Sequence, residues 1–265
     1  GVARALGLLI DHARARGHEV ALVSPNLSPD DHPNTALHLK VAGVTLPFYR
    51  ELKAARPWLS AAQKRALHDF RPDLVHVATE ALVGVAGHRW ARDRGLPLVT
   101  SYCTNFPDYL SGYGLGWAQG WCWHHLRNFH GQAEVTFCPS HATLDDLRGR
   151  GFHERMRIWS RGVDSELFSP SRRSEALRRE IAPGADLILM YVGRIAPEKR
   201  IGLLMDAFPR IRARAAGMGK RVALVLVGDG PALASLRRTA GPDVHFTGYR
   251  RGQALAEHYA AADLF

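Results

Sequence analysis

Short apolar runs alternate along the chain with longer stretches in which apolar positions recur every three or four residues. Over residues 3–16, Ala5, Leu8, Leu9 and Ala13 fall on one helical face, Gly17 ends the helix, and Glu19–Ser24 reads as a strand. The alternation continues with a helix near Ser60–Phe70 before a strand at Asp73–Val77, a helix near Ala81–Asp93 before Leu96–Ser101, and a helix near Trp117–Gly131 before Glu134–Cys138. Short apolar strands between amphipathic helices predict a parallel sheet covered on both faces. A second series follows, with strands at Leu187–Val192, Val222–Val227 and Val244–Phe246 and helices near Ile201–Arg214 and Pro231–Thr239.

Between the two series lie the turn-rich Arg161–Pro170 and the charged run Arg172–Glu180, where the interdomain connection is placed. The order predicts an α/β chain of two Rossmann-like halves, 1–165 and 166–265, facing one cleft. A doubly wound half opens on a strand, whereas this chain opens on a helix, and Ala262–Phe265 reads as the beginning of a strand. Both halves are therefore expected to be incomplete at the termini, as in an internal segment of a longer protein. Expressed alone, with an unpaired sheet edge, such a segment is expected to be poorly soluble.

Composition narrows the picture. With 46% hydrophobic and 23% charged residues the chain is globular, and the net charge of +10 excludes an acidic or neutral surface. Cys103, Cys122 and Cys138 cannot all pair and show no CxxC spacing, which argues for a reducing compartment and against a cysteine zinc site. No apolar run approaches the ~18 residues of a membrane span, so the chain is expected to be soluble or peripheral. His124, His125 and His130 lack an HExxH frame, and adjacent helical residues point to different faces, so packing or surface roles are expected for them. The basic residues are spread out, which removes nucleic acid from the partners. In Tyr49–Arg71, Arg50, Lys53, Arg56, Lys64 and Arg65 stand beside Leu52, Trp58 and Leu59; this segment reads either as a surface for anionic lipid or as a solvated helical face.

The candidate chemistry sits at strand ends. Tyr191–Arg200 is an apolar strand running into Gly193 and delivering Arg194 and Lys199 before a helix, an arrangement suited to an anion such as a diphosphate. A solvated basic turn would look the same. Val227–Gly228–Asp229–Gly230–Pro231 is a second strand-to-glycine turn, in which the glycines would let a ligand approach the backbone, although ordinary turn chemistry uses the same residues. Gly248 and Tyr249 close a third strand. Three such turns on one sheet edge favour a binding crevice. The second turn lacks the third glycine of GxGxxG, and no GxxxxGK[ST] occurs, so dehydrogenase and P-loop readings lose support. In the first half, Tyr102–Tyr109, with Cys103, Thr104 and Asn105, reads as a polar and aromatic loop lining an acceptor site. Glu80 reads as a group for a hydroxyl or, with more weight, as a helix-start carboxylate.

Taken together, SYCTNFPDYL (101–110), PSHATLDDL (139–147), RGVD (161–164), VGRIAPEK (192–199), LVGDGP (226–231), FTGY (246–249) and AADLF (261–265) resemble the retaining GT-B glycosyltransferases of the large family that includes sucrose synthase-like and phosphatidylinositol mannosyltransferase enzymes. Within it the chain is similar to bacterial GDP-mannose-dependent α-mannosyltransferases and sulfoquinovosyl-diacylglycerol synthases. The resemblance implies a nucleotide-sugar donor, GDP-mannose in the first instance, on the second half and a lipid or glycan acceptor on the first. It also implies front-face transfer with retention and no metal or other cofactor; with the reducing compartment read from the cysteines, the enzyme is expected in the cytoplasm, either free or peripheral on the inner face of the membrane. Arg194 and Lys199 match the family's cationic pair on the donor diphosphate; Gly193, Gly228 and Asp229 would border the nucleotide, and Gly248 with Tyr249 the base. Gly1 and Val2 stand where the family has a glycine-rich acceptor loop. Two departures stand out: Cys103 replaces the family's usual histidine near the reacting centre, and no Glu-x7-Glu motif follows AADLF. They support the alternative of a catalytically inactive nucleotide-sugar-binding module.

Overall fold

The computed structural model describes residues 2–26, 34–46, 49–112 and 114–265; for 44–46, 49–55, 109 and 111–112 the description is of the backbone. The chain divides into two compact units, one of Gly1–Pro107 and Trp117–Arg161, the other of Asp108–Gly116 and Gly162–Phe265.

The first unit opens with α1 (Val2–Ala15), β1 (Ala21–Pro25), β2 (Leu37–Val41), β3 (Gly43–Leu46) and β4 (Tyr49–Ala55). β1 and β2 form a two-stranded parallel sheet and β3 and β4 an antiparallel pair. The last three were not foreseen. In 37–41 the apolar Leu37, Leu39 and Val41 alternate with His38 and Lys40, so the segment lacks the continuous apolar run that marks a parallel strand buried on both faces.

Next come α2 (Ala61–Phe70), β5 (Val75–Val77), α3 (Leu82–Asp93), β6 (Leu98–Ser101), α4 (Phe106–Gly112), α5 (Gln119–Gly131), β7 (Val135–Cys138), α6 (His141–Gly149) and β8 (Met156–Ile158). β5 to β8 form a parallel sheet in sequence order; β5, β6 and β7 with their helices follow the expected βα pattern, while α6 and β8 were not foreseen. α2 begins at a capping box: the Gln63 N–H donates to Ser60 Oγ and the Ser60 N–H to Gln63 Oε1. Removing the Ser60 hydroxyl would cost about 1 kcal/mol. α4 occupies part of what the sequence suggested was a loop.

The segment Tyr49–Arg71 does not present one continuous face, because it is split between β4 and α2. Leu59, read as a lipid-facing residue, is only 5% exposed and packs with Leu67, Ala86 and Trp90, whereas Trp58 is 57% exposed. The side chains of Arg50, Leu52 and Lys53 lie outside the described residues, as does Gly1. No helix of the described residues is long and apolar enough to cross a membrane.

The second unit contains α7 (Glu175–Ile181), β9 (Leu187–Val192), α8 (Ile201–Ala216), β10 (Val222–Val227), α9 (Leu233–Thr239), β11 (Val244–Gly248) and α10 (Gly252–Ala261). The parallel sheet runs β11-β10-β9, and Leu264 bridges to Leu189 on the far side of β9. All six residues of β10 are buried. Val222, Leu224 and Leu226 face Ile201 and Phe208, while Ala223, Val225 and Val227 face Ile188, Met190 and Ala261. Each such leucine or valine stabilises the unit by roughly 1.5–3 kcal/mol. The charged run 172–180 is not simply a connection: from Glu175 it is α7, capped by Ser174, and its Arg178 is buried against Asp263 at 2.9 Å.

Candidate functional site

In the second unit, three strands deliver three glycines to the carboxyl edge of the sheet. Main-chain hydrogen bonds lace the turns together: Gly193 N–H donates to Val227 O (3.0 Å), Gly228 N–H to Gly248 O (2.9 Å) and Ile195 N–H to Asp229 O (2.9 Å). Gly228 and Gly230 have φ of 146° and 155°, and a Cβ on either would overlap a carbonyl oxygen, that of Gly193 or of Ile195. The sequence suggested that these glycines open the backbone to a ligand. Instead, the neighbouring turn fills the space beside them.

Arg194 and Lys199 differ in setting. Arg194 is largely buried, with Nη1 3.5 Å from Oε1 of Glu198, whose side chain is 2% exposed. The Arg194 carbonyl accepts from the Tyr191 hydroxyl at 3.0 Å. Arg194 therefore also has a structural task, which the reading of two equivalent cations missed. Lys199 is exposed and makes no ion pair among the described residues. Asp229 turns inward on its own loop, Oδ1 accepting from the Gly230 N–H at 2.7 Å. Tyr249 is 59% exposed, with the Arg251 guanidinium 4.9 Å from its ring centre and Arg251 Nε donating to its hydroxyl.

In the first unit, Glu80 follows β5, Cys103 follows β6 and Arg161 follows β8. Glu80 is not a capping carboxylate: α3 is N-capped by Ala81 with no side-chain hydrogen bond. The Glu80 side chain instead turns inward, 2% exposed, with Oε1 3.1 Å from Nε2 of His130, while Oε2 has no hydrogen-bond partner. Burial pushes the Cys103 thiol pKa up, the Arg161 charge works against this, and the Glu80 charge adds to it. Cys103 is thus a thiol at neutral pH and a poor nucleophile. Asn105 accepts from the Tyr102 hydroxyl at 3.2 Å, and the Thr104 carbonyl accepts from the Phe106 N–H. Val2 opens α1 and is partly buried. Among the described residues, no group of three or more His, Cys, Asp or Glu is placed to hold a metal ion.

Two family models cover most of the sequence: "Glycosyltransferase Family 4" matches residues 1–167 and "Glycosyl transferases group 1" residues 186–265. The chain belongs to glycosyltransferase family 4. It is 36% identical over 271 residues to a GDP-mannose-dependent alpha-mannosyltransferase of Mycobacterium tuberculosis, the match spanning 100% of this chain and 68% of the relative. Among solved structures, sucrose-phosphate synthase from Thermosynechococcus elongatus superposes with a TM-score of 0.66 at 16% identity, over 96% of this chain and 67% of that one. WaaG, a glycosyltransferase involved in lipopolysaccharide biosynthesis, gives 0.64 at 16% identity, over 100% and 70%. The fold is that of the GT-B glycosyltransferases, and the chemistry of this family 4 chain is glycosyl transfer.

Sequence reasoning did not find the contact of His130 with Glu80 or the backbone conformation of Arg161. His130 is fully buried on the face of α5 that carries Trp123, Leu126 and Phe129. A histidine on an apolar stripe was the available signal, and it was absorbed as packing. Arg161 is a non-glycine residue at φ 55°, a conformation that a sequence does not announce.

Proposed function

We propose that the full-length protein transfers a hexose, mannose from GDP-mannose in the first instance, to a lipid or glycan acceptor with retention of configuration and without a metal. The observation that carries the reading is the pairing of Arg194 and Lys199 with the laced glycine turns at the carboxyl edge of the second sheet. Two cations on a preorganised edge suit a diphosphate whose charge grows as the glycosidic bond breaks. They supply the positive charge that a divalent ion supplies in other sites. The leaving phosphate would take the acceptor's proton, so no protein nucleophile is needed, in keeping with the protonated Cys103 thiol. The mannosyltransferase relative supports the donor, and WaaG supports a glycolipid acceptor. With a net charge of +10, the enzyme is suited to the inner face of an anionic membrane, with Trp58 exposed beside α2.

Thermal shifts of the full-length protein with GDP, GDP-mannose, UDP and UDP-glucose test the donor: GDP and GDP-mannose are expected to raise Tm, and Lys199→Gln to abolish the rise. Equal shifts from all four, or none from GDP, would overturn it. NMR of the product's anomeric proton tests retention, transfer in excess EDTA tests metal independence, and sedimentation with phosphatidylglycerol vesicles tests membrane attachment. The second reading, a nucleotide-sugar-binding module, is favoured by Cys103; it holds if the wild type transfers nothing and Cys103→His restores turnover.

A further inference from the structure

The most exposed large apolar side chain among the described residues is Trp117, at 84%, and Trp121, one helical turn further on, is 72% exposed. A short 3-10 turn, Gly116–Ala118, carries the first and runs straight into α5, which carries the second. α5 is held from behind, where its Trp123 and Leu126 are buried with Leu144 and Phe152. The helix is therefore fixed in place with both indoles outward. Trp121 is steadied further by His125, whose ring stacks on it at 5.8 Å and 11°. A tryptophan can bury roughly 150–250 Å² of surface, and most of what these two offer lies open.

Shape and charge decide what such a face meets. Aromatic anchors of protein interfaces work from well-packed, desolvated pockets, whereas these indoles stand out from a helix surface. A bilayer interface needs no matching shape, and tryptophan collects at headgroup level with its ring in the apolar boundary and its N–H toward water. Charge points the same way. Between Asp108 and Glu134 the sequence has no acidic residue, in a chain with 25 of them among 265 residues, and its single full charge there is Arg127. α5 starts with no side-chain cap and no acidic residue in its first turn, so no side chain of its own neutralises the positive end of its dipole. On the flank, the Arg150 guanidinium lies 4.1 Å from the Trp123 ring centre and Arg127 donates to the Arg150 carbonyl, although Asp146 also holds Arg150, at 2.9 Å. Further along, Asn128 Nδ2 lies 2.9 Å from His124 Nε2. The apolar part of the exposed face is thus confined to the start of the helix.

We propose that Trp117 and Trp121 are the element by which this protein rests on an anionic bilayer, their indoles entering the headgroup region while the start of α5 faces lipid phosphate. The proposal deepens the membrane attachment proposed above and rests on it, but not on the identity of the donor. It places the contact at the start of α5, outside the Tyr49–Arg71 segment in which the sequence suggested it.

Sedimentation of the full-length protein with vesicles of phosphatidylglycerol and phosphatidylcholine in equal parts tests this. The double variant Trp117→Ser/Trp121→Ser is expected to lower the ratio of bound to free protein about tenfold or more, the scale of the apolar burial lost, with Tm unchanged because both side chains are exposed. If its Tm falls, Trp117→Ser alone decides in the same way. Met218→Ser removes a 65% exposed apolar side chain of the second unit and is expected to leave the ratio unchanged. Lipids brominated along their acyl chains are expected to quench the tryptophan fluorescence of the wild type and much less that of the double variant, and vesicles of phosphatidylcholine alone are expected to bind more weakly. Binding that the double variant retains, or that ignores phosphatidylglycerol, would overturn the proposal and leave membrane attachment standing. A wild type that stays in the supernatant would overturn both and leave glycosyl transfer untouched. A dimer that dissociates in the double variant, with no quenching by brominated lipid, would assign the face to a second copy of the chain and overturn the proposal.

Discussion

A Cβ on Gly228 would overlap the carbonyl oxygen of Gly193, so the ends of β10 and β9 approach to a distance that only a glycine permits. A Cβ on Gly193 would instead meet the Tyr191 hydroxyl at 2.9 Å, the far end of a side chain that can swing away. Gly228→Ala is therefore expected to cost 3 kcal/mol or more, roughly, and Gly193→Ala about 1 kcal/mol. Urea unfolding of the two variants measures the difference, and equal losses would show that the turns are not docked in this way.

Arg194 and Lys199 should separate by what they lose. Lys199 is exposed, so Lys199→Gln leaves Tm unchanged and removes only donor affinity. Arg194→Gln strips a partner from the buried Glu198 carboxylate and is expected to lower stability as well, by about 1–3 kcal/mol. Tm and GDP binding measured on the same samples distinguish the two. A fall in Tm for Lys199→Gln would show that its surroundings have been misread.

Asp263 joins the chain's last residues to the rest of the second unit. Burial opposes its charge, but the Ile188 N–H and the guanidinium groups of Arg173 and Arg178 outweigh this and hold its pKa below the usual 3.8. Its contribution is present above that pH and is lost as pH falls through the depressed value. Asp263→Ala leaves Arg178, whose side chain is 8% exposed, without this partner, and is expected to cost about 3–5 kcal/mol. A loss below 1 kcal/mol in denaturant unfolding, roughly the worth of a surface pair, would contradict the burial of this bridge.

His76 gives the protein a pH dependence of the same sign, in a higher pH range. Burial beneath Trp159 and Phe137 pushes its pKa from 6.5 to about 4, and its Nε2 pairs with Ser101 Oγ at 2.7 Å. The unfolded chain binds the proton more readily, so this contribution is complete above pH 6.5 and declines as pH falls toward 4, a change on the order of 3 kcal/mol. Burial also lowers the pKa of His88, His153 and His258, with the same sign. Denaturation midpoints taken across this range should fall, and His76→Gln should flatten the slope; an unchanged slope in the variant would place the proton elsewhere.

The elements that the sequence disclosed are those whose apolar residues run together. β10, with Val222 to Val227 all buried, and β9 were legible because a strand covered on both faces has no polar positions to dilute the pattern. β2 was not, because Leu37, Leu39 and Val41 alternate with polar residues, and α7 was hidden in a charged run whose Arg178 is buried by an aspartate 85 positions away. The glycines at the second sheet's edge were legible as turns but not as packing, since what opposes Gly228 is another turn's main chain. Glu80 shows the same limit. Its place after a strand was visible, whereas the histidine that holds it comes from α5, 50 positions further on.

His153 Nδ1 is instructed to accept by a peptide group, the N–H of Arg155. Substituting the arginine side chain leaves that instruction intact; only a proline at this position erases it. The proton of this half-buried imidazole is in this sense assigned by the main chain, so the side chain at 155 can vary without moving it.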